Sequence, residues 1–564
     1  MTMQKNKLLV VVLVALLVVA LVAVFIITRN RGGNQQGSID PETGYWMGEI
    51  TFAPFQFGPF DPNRDIVLYR VHEILAERYN IHVTLTPVFV DFNDYHTIMS
   101  TRVAAGTAPD IWVGGREDRI REYYRQGAIA SWDVEFFRRY APNIAAYIDS
   151  GTSGPLGSFD GDIWWRNATV TTGTGRMNSV PAAPEGVPLV FNGVVYRGDW
   201  LEALGVETPP HNLNEWIELM YRFVNEIPDL LNTGPVYAFS ESMIRVIFAA
   251  HGIWTGFIGG DSHWYYRDGR IQSADTLPEV KEVLELLSRL YADGLIDPTF
   301  IMTERNPTGL WAISPAFMNG QIGVSAWASF DHFRMEGVMS PDDPGGAAAV
   351  EYWAINGREP GFVYGPWIVG PRGHYGWGLG ANFFTADSLV YNIALEDNPA
   401  KLAMIFRLLD IFATDEELMM LAAFGGREGE TFAFDHAGAR VTLLPGAEMN
   451  ARGIQALRGI YGTTNSFHPI QNENFFMLPS VHALLEIQSQ PFFGSSLRSA
   501  IMEQPPSLPL FQADLYAYRD ETFISIIRGQ RPVSYFDIFV QNFLARGGQV
   551  LEDEARIMWE EQNR

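Results

Sequence analysis

The clearest pattern along the chain is a helical repeat of apolar side chains that begins just after Thr276. Thr276 is a suitable N-cap, and Pro278 falls in the first turn, where a missing N–H has no intrahelical partner to lose. Gly294 suits the left-handed position that ends a helix. The apolar residues recur every three or four positions, which predicts one buried helix face: Val280, Val283, Leu284, Leu287, Leu290 and Tyr291.

The pattern then changes from helix to strand. It predicts a short helix around Phe317 and Met318, a turn at Asn319–Gly320, and a strand from Ile322 to Ala326 that ends in Trp327. Helices and strands also alternate in the first part of the chain. Such alternation favours an α/β fold with a largely parallel, helix-covered sheet. The predicted elements are strands at Gly48–Phe52 and Ile81–Val90, helices at Ile66–Tyr79 and Tyr95–Ala105, and a strand after Pro109 that Trp112 ends.

An uncharged apolar run from Leu8 to Ile27 follows Lys5 and Lys7. Its length matches the hydrocarbon core of a bilayer and exceeds the apolar region of a usual cleavable signal. We therefore favour an uncleaved signal anchor over residues 1–28, with a cleaved signal as the alternative. Residues 29–44 contain the sequence GGNQQG, which predicts a flexible tether.

Composition narrows the classes of function. The chain has 564 residues, 47% of them hydrophobic, which predicts two lobes or more with large cores. Its formal net charge of -25 repels nucleic acid, so we expect no nucleic-acid partner. Cysteine is absent, which excludes disulfides, thiolate metal sites and a cysteine nucleophile.

Several segments resemble one known family. The sequence YADGLIDP, followed by FMNGQIG and Trp327, resembles the family 1 extracellular solute-binding proteins of ABC importers, which handle sugars. Further resemblances occur in chain order and span about 45–564. They are AAGTAPDIW before Val113, FDGDIW at Phe159–Trp164, LVFNGVVYRGDWLEALG at Leu189–Gly205, FGGREGETFAF at Phe424–Phe434, and the segment Ile524–Gly548.

This resemblance implies a two-lobed periplasmic-binding-protein-like fold of type II, the Venus-flytrap fold, placed after an N-terminal transmembrane anchor. The chain would cross more than once between lobes that close on a solute. We expect lobe 1 to comprise 45–165 plus about 380–445, and lobe 2 to comprise about 166–379 plus 446–564. The implied partners are an oligosaccharide or other small solute and the ABC permease subunits. We expect a monomer at the cell membrane with its globular part on the extracytoplasmic side.

Aromatic side chains are the first candidates for the ligand site, because aromatic rings stack on the apolar faces of sugars. The resemblance places Trp327 in the cleft, and Trp112 lies where a sheet edge would receive a ligand. Trp164 and Trp165 would point to opposite faces of a strand, so one of them could reach the ligand. For each residue, core packing is the alternative. The candidate rings are Trp327, Trp112, Trp165, Trp254 and Trp377.

Polar candidates are fewer. Asp331 follows the Trp327 strand, and Arg427 lies in the segment that resembles a loop near the family's ligand, so either could bind sugar hydroxyls. Surface solvation is the alternative for both. Asp61-x-Asn63-x-Asp65 has the spacing of the first calcium ligands, but Ile66 and His72 occupy the Gly and Glu positions of that loop. We expect no metal and no cofactor.

Motifs of catalysis are missing. The chain has neither a G-K-[S/T] phosphate loop nor a G-x-S-x-G elbow, and its 65 acidic residues form many pairs by chance. The leading hypothesis is therefore a non-enzymatic solute-binding protein for carbohydrate. A polysaccharide-cleaving enzyme and a ligand-sensing ectodomain are the alternatives.

Overall fold

A computed structural model describes most of the chain after residue 36. The described residues are 37–53, 66–88, 90, 94–115, 117–151, 161–170, 172–181, 192–258, 260–303, 314–339, 342–378, 388–415, 417–418, 421, 428–435, 440–444, 483–484, 486–487, 489–493, 495–501 and 504–562. The predicted anchor and the first half of the predicted tether lie outside them, whereas Ser38 and Ile39 in the second half form a strand that pairs with Met47 and Trp46. Among the described residues, none of the helices has the length and apolar character needed to cross a membrane.

The chain divides into two compact units, each assembled from three separate stretches. Unit 1 comprises Met1–Pro184, Phe384–Thr431 and Glu448–Phe475. Unit 2 comprises Glu185–Phe383, Phe432–Ala447 and Phe476–Arg564.

Unit 1 combines one sheet with flanking helices. Its strands are β1 (Ser38–Ile39), β2 (Trp46–Ala53), β3 (Val83–Pro87), β4 (Ile111–Gly115), β5 (Ser179–Val180) and β11 (Ser388–Tyr391). Its helices are α1 (Ile66–Tyr79), α2 (Tyr95–Ala104), α3 (Glu117–Arg125), α4 (Val134–Tyr140), α5 (Pro142–Ser150), α6 (Gly161–Val170) and α15 (Pro399–Thr414).

The strand order in the unit 1 sheet is β1-β2-β4-β11-β5, with β3 also paired to β2. Strand β2 is parallel to β3 and β4, whereas β11 runs antiparallel to both β4 and β5. The largely parallel sheet that we predicted is therefore correct for β2, β3 and β4 only. The reason is topological, because β11 enters after the chain has passed through unit 2, so no local strand–helix–strand crossover sets its direction.

Unit 2 contains the remaining described elements. Its strands are β6 (Asn192–Arg197), β7 (Trp264–Arg267), β8 (Arg270–Ser273), β9 (Val324–Ser329), β10 (Phe362–Gly365), β12 (Phe432–Asp435) and β13 (Arg440–Leu443). Its helices are α7 (Gly198–Ala203), α8 (Leu213–Leu230), α9 (Glu241–Ala250), α10 (Pro278–Ala292), α11 (Phe300–Thr303), α12 (Pro315–Met318), α13 (Phe330–Phe333), α14 (Ala347–Asn356), α16 (Leu508–Ile527), α17 (Tyr535–Phe543) and α18 (Gln549–Gln562).

The central sheet of unit 2 is antiparallel, in the order β10-β6-β9. Strands β7 and β8 form a separate hairpin, as do β12 and β13. Among the described residues of this unit, parallel pairing is limited to isolated bridges such as Tyr237 with Ile322. The apolar face of α10 packs in the core of this unit together with α16.

The helix predicted after Thr276 is confirmed as α10, and its apolar face is buried. Gly294 has the left-handed backbone expected after the helix, with a φ of 78°. The N-cap prediction is wrong, because α10 begins at Pro278 and Leu277 occupies the cap position. Thr276 ends a 3₁₀ turn instead, where its hydroxyl donates to the carbonyl of Ser273 at 2.9 Å.

Candidate ligand-binding site

Three tryptophans of unit 2 form a cluster, which we call the tryptophan cluster: Trp254, Trp367 and Trp377. The ring centroids of Trp254 and Trp377 are 4.9 Å apart, and those of Trp367 and Trp377 are 6.0 Å apart. Trp367 is 1% exposed, whereas Trp254 and Trp377 keep 6% and 8% of their surface exposed. The structure thus brings together two of the five predicted rings, each with a narrow exposed edge.

Backbone pairing holds Trp377 in place. The amide of Ser496 donates to the carbonyl of Tyr375 at 3.0 Å, and the Ser495 hydroxyl donates to the carbonyl of Trp377 at 2.9 Å. Gly376 makes this approach possible, since it has a φ of 116° and a Cβ there would overlap Ser495. The same segment of the chain also holds the third ring, because Trp367 Nε1 donates to the Phe493 carbonyl at 2.9 Å.

Trp254 follows α9 at the start of a loop that returns to β7. Its amide donates to the Tyr265 hydroxyl at 3.0 Å, and its carbonyl accepts from the amide of His263 at 3.0 Å. The indole lies directly on the backbone of Gly378, where a Cβ would overlap the ring. Both flanking residues of Trp377 in the G-W-G sequence are therefore glycines for steric reasons.

Histidines lie beside the tryptophan cluster. His374 approaches Gly252 so closely that a Cβ there would overlap the imidazole. Burial, with the positive charges of Arg267 and Arg372, lowers the pKa of His374. Burial also lowers the pKa of His251, whose Nδ1 donates to the Ile247 carbonyl at 2.8 Å. Because the ordinary pKa of histidine already lies below 7, a lowered pKa keeps both rings neutral at pH 7.

Trp327 and Asp331 lie at the end of β9 and in α13. The sequence placed Trp327 at the end of its strand, whereas β9 continues to Ser329. Position 327 lies on the strand between Ala326, whose amide donates to the Ser242 hydroxyl at 2.8 Å, and Ala328, which pairs with Gly193. Helix α9 therefore fixes this strand from the side opposite β6.

Trp112 lies inside unit 1. Its ring is fully buried and meets Tyr123 edge-on at 5.9 Å. The expectation that Trp112 ends its strand is wrong, because β4 continues for three residues to Gly115. In the described structure its ring belongs to the core of unit 1 and presents no surface to a ligand.

Trp165 is partly exposed, and the expectation of a strand at this position is wrong. Trp164 and Trp165 belong to helix α6, and their rings meet edge-on at 4.9 Å. Trp165 Nε1 donates to Asp149 at 2.9 Å, and the Arg138 guanidinium lies 4.2 Å from the ring centroid. Hydrogen bonding from Arg138 lowers the pKa of Asp149, so this carboxylate remains charged.

Arg427 lies outside the described residues, as does the calcium-like pattern at Asp61–Asp65. Among the residues that the structure describes, no group of His, Asp and Glu has an arrangement that could hold a metal ion.

Sequence reasoning missed Trp367 and the serines that hold Trp377. Trp367 stands in the sequence GPWIVG, without a feature that distinguishes it from a core tryptophan. The glycines on both sides of Trp377 could have indicated the serine contacts, because glycines beside an aromatic residue indicate that another segment approaches the backbone closely.

A cavity of about 430 Å³ in unit 2 contains none of the predicted site residues; it is lined by Arg197, Asp199, Trp200, Leu231, Thr233, Gly234, Pro235, Val236, Asn319 and Gly320. Arg197 already donates to Asp199, Asn356 and the Phe317 carbonyl. Its hydrogen-bonding capacity is thus directed into the protein, so the cavity carries no ligand assignment.

Comparison with known proteins gives no match to a protein-family model and none to a curated protein. Solved structures do match along nearly the whole chain. The Streptococcus pneumoniae ABC-transporter substrate-binding protein FusA, solved with kestose, is 17% identical with a TM-score of 0.60, covering 92% of this chain and 99% of FusA. This is the fold of ABC-transporter solute-binding proteins.

Two further solute-binding proteins show the same fold. One is an HMO-binding, ABC-transporter-associated protein from Bifidobacterium longum infantis, 13% identical with a TM-score of 0.56, covering 91% of this chain and 99% of that protein. The other is the alginate-binding protein AlgQ2, 16% identical with a TM-score of 0.54, covering 91% and 98%. The solute-binding-protein fold predicted from the sequence is confirmed.

Proposed function

We propose that this chain is the extracytoplasmic solute-binding component of an ABC importer, which captures an oligosaccharide and delivers it to permease subunits. The observation that carries this proposal is the likeness of the fold, along 92% of the chain, to a substrate-binding protein solved with kestose. The likeness to a protein named for alginate binding supports the same class of ligand.

The aromatic side chains of the described structure support a carbohydrate ligand. Tryptophan rings stack on sugar faces, while carboxylates and imidazoles bind hydroxyls. We propose that Trp254 and Trp377 stack on the sugar, and that Trp327, Asp331 and Trp165 are further ligand contacts. Trp112 is omitted because its ring is buried.

We propose a binding function without covalent chemistry. The matched proteins are named as substrate-binding and alginate-binding proteins. We also propose that residues 1–28 anchor the protein in the cell membrane, that the part of 29–44 before strand β1 forms a tether, and that the globular part is a monomer outside the cytoplasm.

The proposal is tested with the full-length protein in mild detergent and a panel of fructo-oligosaccharides, alginate oligosaccharides and N-glycan fragments. A ligand at 100 times its Kd should raise the free energy of unfolding by about 2.7 kcal/mol, and chromatography should recover the sugar intact. Cleaved sugar would replace the proposal with the polysaccharide-cleaving alternative. A panel without any binder would contradict the carbohydrate assignment.

Trp254→Ala tests the site itself. We expect it to weaken binding about five- to thirtyfold, since a stacking aromatic contributes on the order of 1–2 kcal/mol. Trp559→Ala is the matched control, because Trp559 belongs to helix α18, where its ring stacks on Tyr266 at 4.2 Å, and it is not one of the three rings of the tryptophan cluster. Equal affinities for the two variants would remove Trp254 from the site.

A further inference from the structure

A fully buried arginine of helix α16 is bound to the loop that carries Trp254. Arg519 has no exposed surface. Its Nη2 donates to the carbonyl of Gly256 at 2.6 Å, and its Nη1 donates to the carbonyl of Gly260 at 3.3 Å. The arginine therefore contacts the loop backbone two residues after Trp254 and again before His263.

Carboxylates and a hydroxyl complete the surroundings of Arg519. Its Nε donates to Asp520 at 2.8 Å, and its Nη1 lies 3.5 Å from Asp275 Oδ2. Ser262 connects the loop to the same carboxylate, because its hydroxyl donates to Asp275 at 2.7 Å and accepts from the Gly256 amide at 2.8 Å. The aromatic ring of Tyr516 covers the guanidinium at 4.5 Å.

The backbone of the loop that Arg519 binds is crowded and strained. A Cβ on Gly256 would overlap the Gly260 carbonyl and approach Arg519 to 2.6 Å. Ile258 has a φ of 60°, which is strained for a β-branched residue. Its amide donates to Asp520 at 3.1 Å, and its carbonyl accepts from Arg245 at 2.7 Å. Such strain persists only where surrounding bonds fix the backbone, and the Arg519 network supplies them.

Stability alone is a weak reason for this arrangement. Burying a charged pair costs desolvation free energy, and apolar replacement of a whole pair is often neutral or stabilising. What the network supplies is a defined position for the loop backbone. The carbonyl of Trp254 closes the same loop by accepting from the His263 amide at 3.0 Å, so the position of the indole depends on the loop that Arg519 fixes.

We propose that Arg519 is a positioning residue for ligand binding: it holds the Trp254 loop so that the indole is pre-organised to stack on the sugar. This inference rests on the proposed function, because it assigns Arg519 a role in the same site. Arg519 touches no ligand itself and acts through Trp254.

The test removes the buried charges together, as Arg519→Met with Asp275→Asn, in the full-length protein. Hydrogen exchange measured by mass spectrometry should accelerate at Trp254–Ile258 and 260–263, and oligosaccharide affinity should fall about tenfold. The matched control is Arg197→Met with Asp199→Asn, which removes another ion pair of unit 2, whose arginine bonds instead to Asn356 and to the carbonyls of Phe317 and Met318. The control should keep both the exchange and the affinity of the wild type.

A double-mutant cycle separates positioning from general stability. In a Trp254→Ala background, removal of the Arg519–Asp275 pair should cause no further loss of affinity, since the pair acts through that ring. Additive losses, or unchanged exchange in the loop, would overturn the inference. If the wild type bound no oligosaccharide, the proposed function would fail, and loop exchange alone would decide whether Arg519 positions the loop.

Discussion

At the scale of single residues, glycines without side chains determine where the aromatic rings lie. Gly378 lies beneath Trp254, and Gly376 allows the backbone of Ser495 to approach. The ring and the glycine beneath it act as one unit, because neither position tolerates extra volume. Substitution of a glycine therefore displaces an aromatic ring without removing it.

Gly378→Ala should weaken oligosaccharide binding, since its methyl group overlaps the Trp254 indole and overpacking costs about 1–3 kcal/mol. Near-ultraviolet circular dichroism should change as the ring moves. Gly234→Ala is the control, because a Cβ there meets no atom within 4 Å. Wild-type affinity in Gly378→Ala would show that the ring position does not matter for the ligand.

A partly buried histidine makes the stability of unit 1 depend on pH. Burial, together with the charge of Arg119, lowers the pKa of His96 from 6.5 to about 4. Between these values the unfolded chain binds a proton that the folded chain does not, so stability should fall as pH falls from about 6.5 to about 4. Denaturant unfolding at several pH values should show a shallower fall for His96→Gln. The exposed His82 provides the control in His82→Gln, and identical profiles for all three proteins would refute the assignment.

At the scale of elements, polar side chains cap the start of α15 and of the helix α5 that packs beside it. Asn398 caps α15 by accepting from the Lys401 amide at 3.1 Å, and Asp410 of the same helix accepts from the amides of Asn143 and Ile144 at the start of α5. Helix α15 thus both receives a cap and provides one. It connects a late stretch of the chain to an early one.

Asn398→Ala should lower the free energy of unfolding by about 1 kcal/mol, because the Lys401 amide loses its side-chain acceptor. Asn398→Asp should retain most of the stability, since a carboxylate accepts the same bond. Denaturant titration of the three proteins measures the difference. Equal losses in both variants would show that another property of Asn398 is responsible.

Element by element, the sequence predicted local structure better than it predicted contacts. The apolar spacing predicts helix α10 correctly. It does not fix the cap, because Leu277 and not Thr276 directly precedes the first helical residue, Pro278. The adjacent Trp164 and Trp165 carry no periodicity that separates strand from helix, and the structure places both in helix α6. Trp254 and Trp377 were each predicted, whereas their mutual contact depends on tertiary packing that no local pattern records.

At the scale of the whole molecule, the negative net charge should favour neutral oligosaccharides over acidic ones. A net charge of -25 repels acidic oligosaccharides at long range and leaves neutral ones unaffected. We expect the affinity for a neutral sugar to be nearly constant between about 0.05 and about 0.5 M salt, because no ion is exchanged on binding. An acidic alginate fragment should bind more weakly and gain affinity with salt. Calorimetry measures both, and tight binding of the acidic sugar at low salt would contradict this expectation.

The order of strands in unit 1 also has a consequence for synthesis. Strand β11 lies between β4 and β5 in the sheet. In the chain it comes after both of them, and the long middle stretch of unit 2 separates it from β5. A ribosome makes the chain from the N-terminus, so the sheet of unit 1 stays open while about 200 further residues emerge. Unit 2 in turn needs its last stretch, which includes Arg519. The sheet of unit 1 is therefore completed only after the middle stretch of unit 2 has been made, and unit 2 is completed later still.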